Sequence, residues 1–201
     1  GSVVAHQRGT AGDGVPPYVV MGYPSPSRGP GFLGAAAGYL YLTDPEAGPA
    51  GLQRPAGVDL GRQARREKLL GRIRRRFLVK NPGDSRLRDY SSVAAQGLKL
   101  AGPKFMSVFD LKSESDALRK ACGSEFGQRC LLARRLVESG VRFVEVAFNL
   151  NFINGTGWDT HNEGQQQQHR LIDQLDQAFA TLITDLQKRK RLDRTLIVIA
   201  S

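Results

Sequence analysis

The residues of this chain best suited to chemistry are Asp159 and His161, in the run Gly157-Trp158-Asp159-Thr160-His161. In a loop, a carboxylate and an imidazole two residues apart can reach one cation. That hard and borderline donor pair suits zinc, manganese or iron. Asn162, Glu163 and His169 follow closely and supply further oxygen and nitrogen donors. Two side chains do not complete a coordination sphere, so other ligands must come from elsewhere. The alternative is that Asp159 and His161 only hydrogen-bond around their loop. Trp158 either packs against the sheet edge or lines a sugar-binding pocket. His169 either lies on a solvated helix face or supports a ligand from behind.

These residues need a frame, and the flanking sequence predicts one. Residues 141–148 are largely apolar and read as a strand. Residues 165–189 place Leu171, Ile172, Leu175, Ala178, Phe179, Leu182, Ile183 and Leu186 at helical spacing. Residues 195–200 read as a second strand. Strand, loop, helix and strand in that order predict a right-handed parallel crossover. In such sheets ligands gather beyond the carboxyl ends of the strands, where Asp159 falls. Upstream, residues 126–139 read as a helix stopped by Gly140, with Phe126, Cys130, Leu131 and Val137 turned inward.

The remaining organisation follows from punctuation. Residues 1–60 are rich in Gly and Pro and predict loops around one short strand at 18–21; the prolines of 23–31 exclude helix there. Residues 31–36 predict a short turn or helix. From Asp59, a helix cap, a strongly basic helix runs to Lys80 and ends at Asn81-Pro82-Gly83. Further helices are expected over 85–102 and 115–122. The expectation is a single partial domain over 1–201: loops to residue 60, a basic helical part over 61–125, and a core over 126–201.

The bulk numbers bound the classes. The 201 residues suffice for one core, and no apolar run approaches a membrane span. Net charge is +10, which allows binding to phosphate, sulfate, nucleic acid or anionic surfaces or simply marks a soluble protein rich in Arg. The arginines over 62–76 form either a solvated face, a face towards acidic parts of segments outside this fragment, or a phosphate-backbone contact. No aromatic interleaves them before Phe77 and no nucleic-acid motif accompanies them, so a nucleic-acid partner is disfavoured. Cys122 and Cys130 would stand about 12 Å apart on one continuous helix, too far to bridge. Gly123 and Gly127 interrupt that helix and leave a disulfide open. His6 stands alone. Asn149, Asn151 and Asn154 either orient substrate or form turns. Asn154-Gly155-Thr156 fits the glycosylation acceptor pattern.

Three stretches carry a resemblance: 157–161, 130–144 and 192–198. They resemble the family called domain of unknown function 1501, which is similar to sulfatases and the alkaline-phosphatase superfamily. Residues 1–3, 31–33 and 55–58 fit more loosely. The resemblance implies a parallel-sheet α/β/α sandwich, incomplete in this chain, which reads as an internal fragment. It implies a hydrolase of anionic small-molecule or polysaccharide esters of sulfate or phosphate. A divalent metal (zinc, manganese or calcium) would be held in part by Asp159 and His161. Trp158, Asn162, Glu163 and His169 would stand behind the metal or against substrate. An extracytoplasmic location is implied too. The alternative within that fold is a non-catalytic binding or structural protein. Two departures stand out. The superfamily spaces its Asp and His by four residues, not two. Residue 201 falls where the family continues with Glu-Phe-Gly-Arg.

Overall fold

Tyr18 to Met21 are four successive apolar residues without alternation, the signature of a strand buried on both faces of a parallel sheet. The computed structural model describes residues 1–12, 14–45, 47–49, 51–52, 55–100, 102–149, 157–160 and 164–200. It puts β1 (Tyr18–Met21) at the centre of a parallel three-stranded sheet. β2 (Leu40–Leu42) lies on one side and β3 (Phe143–Val146) on the other. The ladder pairs Val19 with Leu40 and Val144, and Met21 with Leu42 and Val146.

The strand period of two sends β1 side chains to two cores. Val19 and Met21 join Leu42, Phe109, Leu132 and Leu136 on one face. Tyr18 and Val20 join Ala5 and Ala37 on the other. The first face is covered by helix α6 (Glu125–Ser139). The second is covered by α1 (Ser2–Arg8) and a 3-10 turn over Ala35–Ala37. Helical segments on both sides of a parallel sheet make this an α/β protein, as expected. Leu132 and Leu136 are wholly shielded from solvent; each contributes about 1.5–3 kcal/mol.

Helix boundaries follow local chemistry. In α2 (Leu60–Lys80), Asp59 caps the start by accepting from the Arg62 amide at 2.7 Å. Next come α3 (Ser85–Leu100), α4 (Pro103–Met106) and α5 (Asp116–Cys122), the last capped by Ser115. α6 stops at Gly140, whose φ of +108° suits a residue without a Cβ. Val141 then donates to the Leu136 carbonyl, which turns the chain straight into β3. α7 (Gly164–Lys188) packs on α5 and α6. Leu171, Ala178 and Leu186 are buried along it, while Ile172 remains 49% exposed.

An ionic network joins α6 to α7. The Arg134 side chain, almost fully buried, meets Glu114 at 2.8 Å, Glu138 at 2.7 Å and Asp185 at 2.9 Å. Arg135 and Arg189 reach the same carboxylates from the rim.

Several expectations are corrected. Residues 195–200 form no strand: Leu196, Val198 and Ile199 are exposed. Their composition favours extended backbone, but a strand exists only through a ladder, and this segment has no pairing partner among the described residues. The right-handed crossover therefore does not close here. In α6 the innermost residues are Leu132 and Leu136, while Phe126 and Val137 are half-buried. The proline-rich stretch admits one 3-10 turn, Pro26–Arg28, because proline at its first position forfeits no internal bond. β2 and α1 were not anticipated; both are short, and neither carries a periodic signal.

Candidate functional site at the carboxyl end of the sheet

Gly22 lets the carboxyl ends of β1 and β3 converge. A Cβ there would stand 2.9 Å from that of Ala147. The chain leaving β3 therefore runs close against the end of β1. Gly157 has a second constraint: its φ is +62°, and a Cβ would press on the Asn149 side chain at 2.5 Å. Thr160 packs against Gly164 at the start of α7. Gly157 and Thr160 thus pin Trp158 and Asp159 between the exit of β3 and a helix N-terminus.

Trp158 is 41% exposed and meets the Phe148 ring edge-on, with centroids 6.0 Å apart. Phe148 in turn meets Phe126 at 5.4 Å. Packing therefore accounts for part of the indole and leaves the rest open to solvent. Asp159 is half-buried. His169 is exposed on α7. His161, Asn162, Glu163, Asn151 and Asn154 lie outside the described residues. Among the described residues, no three His, Cys, Asp or Glu side chains gather as a metal site would require. Asp159 is the only predicted metal ligand whose position is described.

Sequence reasoning passed over Arg129, which is 6% exposed on α6. One terminal nitrogen donates to the Phe148 carbonyl, and the guanidinium lies 5.8 Å from the Phe126 ring centroid. Its Nε has no hydrogen-bond partner among the described residues. Among the described residues no carboxylate forms an ion pair with it. Desolvation pulls its pKa below the ordinary value, and the charge of Glu125 offsets this only in part. Ser124, at the α6 N-cap, also has a buried hydroxyl without a partner. A signal was present in the sequence: Arg129 stands three and seven residues before Leu132 and Leu136, on the inward face. A buried guanidinium with so little compensation is costly. As the fifth residue of α6, one turn past Glu125, it offers an anion a full charge.

Two other polar groups are already committed. Glu145 accepts from the Tyr18 hydroxyl at 2.9 Å and from Arg28 Nε at 2.5 Å, so both its oxygens are used. Burial, and then that hydrogen bond to Glu145, pushes the Tyr18 pKa up and keeps the phenol a donor. Cys122 and Cys130 are free and buried, which settles the open disulfide question. Burial pushes their thiols up to about 11 and about 12, so neither is a ready nucleophile.

Compared with known families, the chain matches over residues 1–201 the family model described as "Protein of unknown function (DUF1501)". The chain belongs to the DUF1501 family. No curated protein and no solved structure matches it. For this DUF1501 chain, no described helix is long and apolar enough to cross a membrane.

Proposed function

We propose that this DUF1501 chain contributes to a metal-dependent hydrolase of sulfate or phosphate esters. The observation that carries the reading is Arg129: a buried guanidinium without an ion-pair partner among the described residues, beside the loop that bears Asp159. A tetrahedral oxyanion would complete its hydrogen bonding, since guanidinium matches sulfate and phosphate oxygens in pairs. Trp158 and Phe148 form an apolar wall beside that position, suited to the organic part of an ester. Asp159 and His161 would hold a divalent cation, which would neutralise the ester and lower the pKa of a bound nucleophile. Of that donor pair the structure describes only Asp159, so the metal assignment rests on donor chemistry and family resemblance.

The test uses the intact protein. Metal content and hydrolysis of p-nitrophenyl sulfate and p-nitrophenyl phosphate are measured for wild type, Asp159→Asn and His161→Ala. The expected outcome is stoichiometric metal and ester cleavage in wild type, both lost in the variants. Equal metal and equal turnover in all three would overturn the assignment. Anion binding without turnover in metal-loaded wild type would favour a binding protein of the same fold.

A further inference from the structure

The helix α2 is not accounted for by the site or the core. None of its 21 residues is buried. The side turned towards the protein is marked by half-buried Gln63, Glu67, Arg74 and Leu78, at spacings of four and seven. That side is mostly polar. The large apolar residues Leu69, Leu70, Ile73 and Phe77 sit on an adjacent strip and are 43–57% exposed. The positions 69, 70, 73 and 77 fall within about one quarter of the helix circumference. Arg65, Lys68, Arg72, Arg75 and Arg76 form a basic flank beside them. The helix carries nine Lys and Arg against one Glu, so it holds a net +8 (9 − 1) of the chain's +10.

An apolar strip edged by cations demands a partner that offers hydrocarbon and negative charge side by side. A nucleic-acid backbone satisfies the arginines and leaves the aliphatic strip in water. We infer that α2 is an interfacial helix that lies on an anionic phospholipid bilayer. Leu69, Leu70, Ile73 and Phe77 would enter the headgroup–acyl boundary, and the arginines would meet lipid phosphates. At about 31 Å the helix is long, but its charge forbids spanning and favours lying flat. This inference is independent of the hydrolase reading, because it uses no residue of the candidate site.

The experiment is flotation of the intact protein with vesicles of phosphatidylcholine alone, or of phosphatidylcholine mixed with phosphatidylglycerol. Two variants are compared with wild type: Ile73→Ser/Phe77→Ser, and Arg72→Gln/Arg75→Gln/Arg76→Gln. All five positions are exposed, so circular dichroism should show the fold intact. Wild type is expected to prefer the anionic vesicles by at least about tenfold, with binding weakened by added salt. Each basic residue at such a surface contributes roughly fivefold, so the triple variant should lose about a hundredfold. The serine variant should lose about tenfold. Absence of binding to anionic vesicles overturns the inference. So does a serine variant that binds as wild type does, because attraction is then purely ionic. Tighter binding to duplex DNA, unaffected by the serine substitutions, would transfer the helix to a nucleic-acid partner. Self-association that disappears in the serine variant, without vesicle binding, would assign the strip to a second copy of this chain.

Discussion

Replacing Arg129 with Met keeps an unbranched apolar side chain on α6 and deletes the charge. The losses can be counted from its contacts. One charged hydrogen bond, to the Phe148 carbonyl, contributes about 1.5–3 kcal/mol. Proximity to the Phe126 ring adds about 0.5–1 kcal/mol. Against these stands the desolvation of an unpaired buried cation, several kcal/mol per ion. The losses and the relief nearly cancel, so Arg129→Met should unfold in urea within about 2 kcal/mol of wild type, on the stabilising side. A binding residue retained at a cost to stability behaves in this way. The second arm is linkage. Sulfate at ten times its Kd should stabilise wild type by about 1.4 kcal/mol beyond its general salting effect. The variant, measured in the same sulfate, should show the general effect alone. A loss above about 3 kcal/mol in Arg129→Met, or equal sulfate gains in both proteins, would refute the reasoning and make Arg129 a structural anchor.

Two further outcomes follow from the structure. Arg134→Met would leave Glu114, Glu138 and Asp185 facing one another, and should cost about 3–5 kcal/mol at neutral pH, towards the lower end because Arg135 and Arg189 remain. Burial alone would raise the Glu114 pKa, but bonds from Arg134 and Arg135 outweigh it and hold the carboxyl below its ordinary 4.5. Its contribution is therefore present above that value and fades as pH falls through the lowered one. Urea melts across that acid range should show the gap between wild type and Arg134→Met narrowing; a widening gap would contradict the network. Gly157→Ala meets both the positive φ and the Asn149 contact, and should cost about 1–3 kcal/mol. Amide hydrogen exchange should show the loss of protection centred on residues 157–160.

The longer helices and α5 were legible in the sequence because their causes are local. Apolar spacing marks α7, Asp59 and Ser115 are caps, and Gly140 is a stop, all within a few residues of what they control. The same locality explains the failures. Strands depend on partners distant in the chain, so β2 escaped notice and residues 195–200 looked like a strand that the structure does not pair. The loop with Trp158 and Asp159 stood out through its residue types and its place after β3. Its surroundings did not, because Phe126 and Arg129 come from α6 and Phe148 from the exit of β3, all of them before the loop in the chain.

By itself, the sequence determined the longer helices, the central apolar strand, the surplus of positive charge and the family. Only the tertiary structure decided which arginines are paired with carboxylates. Arg134 sits among three carboxylates drawn from separate segments, while Arg129, five residues earlier on the same helix, has one carbonyl and an aromatic ring. A guanidinium carries the same charge in every sequence. Whether that charge is neutralised, solvated or held ready for a ligand depends on what folding brings within a few ångströms of it.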